Sequence, residues 1–446
     1  MKPAPRLLVL AAALALAGGC RARPRTPVIL VSIDTLRPDH LGCYGYPRPT
    51  SPNLDAFRKD AVLFRQAIAH APSTLASHAS LLTSLLPPHH GASISNNLAV
   101  PRGVVTLAEL LRAEGYATAS FNGGVQLDPV WGLDQGFDTY MSVKPRGAPA
   151  ESLVDEHDRF SFITEEARAW ILDHEGPPFF LFLHTYEVHH PYTPDPADLD
   201  PFRGDYKGPL PDRITVDLLR QIDRGSLRVS DRDRQHVIDA YDGEIRSMDR
   251  AFGVFASFLK ERGLYDSALV VVTSDHGEEF GEHGRLGWHS HSLFDELLRV
   301  PLLVKLPASR RAGASVPEQV RGIDVAPTIL SFLGLVAPPA FEGRALLDEG
   351  APRATASEAW SSRDVTEPNA VLSLRTPEWK LFEGRLYDLV GDPGERHDVA
   401  STHEDVARRL GERRKALAGD RPRAARRSAA PDDELRERLR ALGYVE

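Results

Sequence analysis

The sequence predicts an α/β protein, and three observations carry that prediction. Two aliphatic runs, Val28–Ile33 (VILVSI) and Leu269–Val272 (LVVV), lack the polar alternation of a half-exposed strand and read as strands buried on both faces of a parallel sheet. Helices and strands alternate along the chain between and beyond them. Each aliphatic run also ends in a carboxylate, Asp34 directly after the first and Asp275 after Thr273-Ser274. Ligands of open α/β sheets bind beyond the carboxyl ends of the strands, so both carboxylates stand where a site is expected.

The elements follow in order. Ser51-Pro52 opens a short helix, with Ser as cap and Pro at the first helical position, whose buried face is Leu54, Phe57 and Ala61. Residues Ala71–Pro87 (APSTLASHASLLTSLLP) form a helix with Leu81, Leu82, Leu85 and Leu86 on one face. Ser73, Thr74 and Ser77 lie at its N-terminus, where the helix dipole favours an alkoxide or a bound oxyanion. Thr106 and Glu109 make a capping box for a helix that stops at Gly115, and Tyr116–Phe121 is a strand. Ser161–His174 is a helix and Phe179–Leu183 a strand ending in His184, Glu187, His189 and His190, more imidazole than packing explains. Pro191–Leu227 has little periodicity and reads as a surface insertion, a lid or substrate-selecting wall. Ser230–Gly263 is a long helix with Ser230 and Asp233 as its cap; Asp242 and Asp249 fall off its apolar stripe and are expected on a solvated or ion-paired face. Asp275 and His276 then open a loop rich in Gly and Glu. His289 and His291 follow, and a strand Val300–Leu306 carries Lys305. Asp324 caps a helix through Leu333, and a Pro/Ala/Gly-rich passage to Arg353 marks a boundary. Beyond it come a small α+β unit over 354–420 and a charged tail over 421–446.

Composition narrows the function classes. The 446 residues are 42% hydrophobic and 26% charged, with a formal net charge of −9, which gives no basic footprint for nucleic acid. An anionic substrate therefore needs local positive charge from a metal or from clustered His and Arg. Lys2 and Arg6 precede an apolar run, Leu7–Ala17, of the length of a signal-peptide core and too short to span a bilayer. Gly18-Gly19-Cys20 resembles a bacterial lipoprotein processing site, although Ala17 stands where Leu is usual. Residues 1–20 are thus expected to direct export to the periplasm or outer surface, with a lipid at Cys20 as the sole membrane contact. Cys43 is the only other cysteine, so a lipidated Cys20 leaves no intrachain disulfide.

The segments VILVSIDTLRPDHLGCYGY, TLASHASLLTS, HTYEVHHPY, TSDHGEEFGEHG, LLRVPLLV and RGIDVAPTILSFLGL together resemble the sulfatase family of the alkaline phosphatase superfamily. WKLFEGRLYDLVGDPGE resembles that family's small C-terminal domain. The resemblance implies a large mixed sheet sandwiched by helices over 26–340, followed by a small α+β domain. It implies one divalent metal ion (calcium, zinc or manganese), or two, with Asp34, Thr74, Asp275 and His276 at ligand positions. His189 and His289 match positions that touch the substrate's anionic head or a second metal, and His78, His291 and Lys305 stand as further substrate-binding candidates. One departure matters most. Formylglycine sulfatases take their nucleophile from Cys/Ser-x-Pro/Ala-x-Arg, and that register falls on Thr74-Leu75-Ala76-Ser77-His78. Oxidising the secondary alcohol of Thr74 gives a ketone, so no formylglycine is expected there, and His78 stands in place of Arg. Thr35 likewise stands where an acidic ligand is common. Threonine is the nucleophile in phosphodiesterase and phosphoethanolamine-transferase branches of the superfamily. The expectation is therefore an exported, metal-dependent hydrolase of a small sulfate or phosphate ester carried on a glycan or lipid. Thr74 would attack, phosphoryl chemistry is favoured over sulfuryl, and His189 or His289 would donate a proton. A transferase to a sugar or lipid acceptor, and an inactive binding protein of this fold, are the alternatives.

Overall fold

The computed structural model describes residues 26–142, 159–174, 178–347, 359–363, 371–419 and 424–442; the leader and Cys20 lie outside them. The main sheet has eight strands: β1 (Val28–Ile33), β2 (Val62–Ile68), β3 (Ala117–Asn122), β4 (Thr139–Ser142), β5 (Phe179–Thr185), β6 (Leu269–Thr273), β7 (Arg299–Lys305) and β8 (Ser315–Arg321). Their spatial order is β8-β2-β7-β6-β1-β5-β3-β4. Only β7 runs antiparallel to its neighbours, β2 and β6. The aliphatic runs read as doubly buried strands, β1 and β6, are neighbours at the centre and buried throughout. Two apolar clusters line the two faces. One holds Ile29, Val31 and Ile33, the other Val28 and Leu30, the period-2 split of a strand covered on both sides.

Strand β8 escaped the sequence reading because it is an edge strand: its first four residues are all exposed or half-exposed, and its sequence, SVPEQVR, has no aliphatic run. Helix α1 (Pro52–Phe57) forms where expected, but Ser51 does not cap it through its side chain. The cap comes from the long helix Asp231–Glu261, whose Asp249 carboxylate accepts the amides of Asn53 and Leu54 at 2.9 and 2.8 Å. Asp242 and Asp249 are buried rather than solvated; Asp242 is ion-paired as expected, with Arg48 at 2.6 Å, and also takes His40 and Tyr46 at 2.7 Å. Asp249→Ala should therefore lower stability by about 1–2 kcal/mol, the range for a lost helix cap, read as a lower thermal midpoint with metal content unchanged.

The segment 191–227 is not a structureless surface insertion. It carries helices Pro196–Arg203 and Val216–Asp223 and buries Tyr192, Leu199, Leu210, Ile214 and Leu219 in the main core. Charged residues at the exposed positions mask that periodicity. The C-terminal unit is a four-stranded antiparallel sheet, Ala359–Arg363, Val371–Arg375, Trp379–Phe382 and Arg385–Asp388, against helix Glu404–Gly419. The tail is charged as expected but docked: helix Asp433–Ala441 buries Leu435 and Leu439 against the main domain, and Leu442 follows them in. No described helix is long and apolar enough to cross a membrane.

Candidate active site

Four segments meet at the carboxyl ends of the central strands. Asp34 leaves β1 and its amide bonds to Thr185 O of β5 at 3.0 Å. Asp275 and His276 follow β6, His184 is on β5, and Thr74 is the first residue of helix α2 (Thr74–Thr83). That helix ends earlier than its sequence predicts, at Ser84 in the left-handed region (φ 54°). Its capping residue Ser73 makes no side-chain cap bond; Gln126 Oε1 accepts the Leu75 amide at 2.9 Å instead.

All the site's polar groups are buried, and their hydrogen bonds have a direction. Thr74 Oγ1 donates to Asp34 Oδ2 at 3.2 Å, and His184 Nε2 donates to the same oxygen at 3.2 Å. Asp275 Oδ1 accepts the amides of His276 at 2.9 Å and Thr35 at 3.3 Å. His276 Nδ1 donates to Gly277 O at 3.0 Å, which turns Nε2 inward. Asp34 Oδ1, Asp275 Oδ2, His276 Nε2 and His184 Nδ1 are all buried with no hydrogen-bond partner, and the first three lie together. His276 Nε2 lies 3.7 Å from Asp34 Oδ1 and 3.5 Å from Asp275 Oδ2. Orphaned buried polar atoms are costly, and two oxygens and a nitrogen converging on one point form a donor set that fits a divalent cation. Burial pushes the Asp34 carboxyl up to about 7, with His276 pulling the other way. Burial disfavours a charged His276, but the Asp275 and Asp34 carboxylates outweigh it and raise its pKa. Both shifts describe a proton held where a cation would replace it. Thr35 is no ligand: its hydroxyl donates away from the site, to Val188 O at 3.1 Å.

A second group faces the first. The ligand nitrogens of His189, His190 and His289 lie within 4.8 Å of one another, and the His289 ring is 4.6 Å from that of His276. Burial lowers the His289 pKa to about 3 and that of His189 well below the usual range, so both rings are neutral in the free protein. Glu278, absent from the sequence-derived candidates, organises them: Oε1 accepts His289 Nδ1 at 2.8 Å, Oε2 accepts Tyr192 Oη at 3.0 Å, and His190 Nδ1 is 3.5 Å away. Burial opposes its ionisation, yet His289 and His190 hold it well below the usual carboxylate range. Glu278→Gln should cut turnover by about 10- to 100-fold, the cost of a carboxylate that orients a functional imidazole, with the thermal midpoint little changed. Steady-state kinetics beside a melting curve checks this.

Three substrate candidates change place. His78 is fully buried; Nδ1 donates to Thr74 O at 2.8 Å, which leaves Nε2 to accept the Ser32 hydroxyl at 2.9 Å. Burial lowers its pKa to about 4, so it is neutral, and with both nitrogens used it braces Thr74 rather than replacing the arginine of the formylglycine motif. His291 turns to Glu279, with Nε2 2.5 Å from Oε2. Lys305 is at the opposite end of the sheet: it pairs with Val270 at the start of β6, and Nζ donates to Tyr265 O and Ala268 O. Cys43 offers no competing nucleophile, since burial and then Asp55 push its thiol up to about 12.

The sulfatase family pattern matches residues 26–335, which span the whole site. The chain belongs to the sulfatase family. Residues 281–419 match the C-terminal pattern of N-sulphoglucosamine sulphohydrolase. The chain is 26% identical to the multifunctional alkaline phosphatase superfamily protein PehA of Trinickia caryophylli, over 74% of this chain and 78% of that one. Its fold is similar to the phosphonate monoester hydrolase of Agrobacterium radiobacter, with a TM-score of 0.69 and 23% identity over 88% of this chain and 95% of that one. It is also similar to BT4656 in complex with its substrate D-glucosamine-2-N,6-O-disulfate, with a TM-score of 0.72 and 18% identity over 89% of this chain and 98% of that one. This sulfatase-family chain is thus a hydrolase acting on sulfate or phosphate esters, in a family that generally uses a divalent metal.

Proposed function

We propose that the chain is an exported, metal-dependent esterase in which Thr74 is the nucleophile and phosphoryl transfer the favoured chemistry. The observation that carries this reading is the Thr74 hydroxyl at the N-terminus of α2, hydrogen-bonded to Asp34 beside three orphaned donor atoms. A divalent ion held by Asp34, Asp275, His276 and Thr74 Oγ1 would lower the hydroxyl's pKa and withdraw charge from the ester oxygens. The mixed oxygen and nitrogen set suits zinc or manganese at least as well as calcium.

The steps of the chain's own residues follow. Asp34 Oδ2 holds the Thr74 hydroxyl in place at the N-terminus of α2, whose dipole favours the incoming anion. Thr74 Oγ1 passes its proton to Asp34 Oδ2 and attacks phosphorus, the bond to the alcohol oxygen breaks, and that oxygen takes a proton from His189 or His289. A doubly charged ester supplies the counter-charge that allows one of these buried rings to be protonated. Water then breaks the bond between Thr74 and phosphorus. The carrier of the ester is taken as a glycan, by similarity to the structure that binds a sulfated glucosamine, and residues 1–20 would deliver the protein outside the cytoplasm with a lipid at Cys20.

One metal-loaded preparation, assayed on 4-nitrophenyl sulfate, the phosphate monoester and a phosphodiester, tests the reading. Faster turnover of a phosphoester than of the sulfate supports it. Sulfate as the only ester turned over sinks the phosphoryl preference.

A further inference from the structure

A second cleft, of about 620 Å³, opens between the edge of the main sheet and the C-terminal domain. No residue of the Thr74 centre lines it, and the loop that follows His276 separates the two: Arg37, at one end of the cleft, donates to Glu278 O at 2.8 Å. Five arginines and four carboxylates face the cleft. Every carboxylate is already paired. Arg37 takes Asp39 and Glu282, both at 2.7 Å; Asp295 is held by Arg375 at 2.8 Å and Lys380 at 3.0 Å; and Glu296 pairs with His283 at 2.6 Å.

Arg65, Arg299 and Arg396 remain, none with an ion pair among the described residues. Arg65 Nε bonds only the neutral Ser315 hydroxyl at 3.0 Å, Arg299 Nη2 donates to Arg65 O at 3.2 Å, and Arg299 Nε is buried without a partner. Three like charges gathered on one cleft repel each other. An oxyanion relieves that repulsion, because the guanidinium fork matches two oxygens of a sulfate or phosphate. The cleft volume lies in the range of small-molecule sites.

We propose that this cleft binds a multiply charged oxyanion, sulfate or phosphate groups carried together on one small molecule, at a site separate from the Thr74 centre. The three unpaired arginines are its anchors, and their spread over two domains selects ligands with more than one charged group. Neither the nucleophile nor the metal of the proposed function enters this inference.

Calorimetric titration of the full chain tests it, with a disulfated disaccharide, tripolyphosphate and inorganic sulfate as probes. Arg65 and Arg396 are exposed, so the double variant Arg65→Gln/Arg396→Gln leaves the core alone. It should weaken binding of the disaccharide, the tripolyphosphate or both by at least about tenfold, the loss expected for charge-assisted bonds, and leave 4-nitrophenyl ester turnover within about twofold. Asp275→Asn should keep that binding, and inorganic sulfate should bind most weakly. A tighter disaccharide makes the natural ligand a glycan, and a tighter tripolyphosphate makes it a phosphate chain; either supports the site. Unchanged affinity in the double variant, or affinity lost only with Asp275→Asn, overturns it.

Discussion

Thr74→Ala should lower turnover of the preferred ester by at least about 10³-fold, in the range seen when a nucleophile is removed and only binding and electrostatic stabilisation remain. The loss should fall on kcat, because Thr74 is buried and its hydroxyl, not its bulk, meets the reacting atom. Thr74→Ser keeps a hydroxyl in hydrogen-bond reach of Asp34 Oδ2 and should retain measurable activity. Neither variant should unfold the protein, since the helix that begins at residue 74 is anchored independently by the Leu75 amide on Gln126 and by Ser77 Oγ donating to Asp275 O at 2.6 Å. A pair in which Ser works and Ala does not would separate hydroxyl chemistry from packing.

Asp275→Asn is the second large effect. The amide preserves shape and keeps an acceptor for the His276 and Thr35 amides, but it removes the charge that faces His276 Nε2. Metal content should fall well below that of the wild type, and turnover should fall by at least about 10²-fold, which elemental analysis and kinetics on the same preparation would show. Thermal denaturation gives a readout free of activity. Adding the cognate ion at about 100 times its dissociation constant should stabilise the wild-type chain by about 2.7 kcal/mol and the variant by much less. Proton competition adds a pH signature. The Asp34 carboxyl, pushed up to about 7, must lose its proton to serve as a ligand, so apparent metal affinity should rise with pH up to about that value and level off only once His276, itself raised, has also deprotonated.

Much of the site is legible in the sequence because its backbone anchors are. Asp34 and Asp275 each follow an uninterrupted aliphatic run, and a buried parallel strand delivers its next residue to the carboxyl end of the sheet. What the linear order hides is direction and pairing. Lys305 ends a strand just as plainly, but β7 is antiparallel, so its last residue emerges at the opposite edge from Asp275. His78 carries no sign in the sequence that Ser32 and the Thr74 carbonyl will occupy both its nitrogens. Glu278 looks like one more acidic residue of a solvated loop; only the fold brings His289, His190 and Tyr192 around it. The helices within 191–227 and the docking of the tail helix at 433–441 are masked in the same way, since each buries only a few apolar residues amid charged neighbours.

The most direct test of the Thr74 mechanism is to quench the metal-loaded enzyme during turnover of a phosphoester and determine by peptide mass spectrometry where phosphate is covalently held. A phosphoryl group on Thr74, present during turnover and absent from Thr74→Ala, is the predicted result. Full steady-state turnover with Thr74 unmodified at every quench time, or turnover that survives Thr74→Ala, would contradict it.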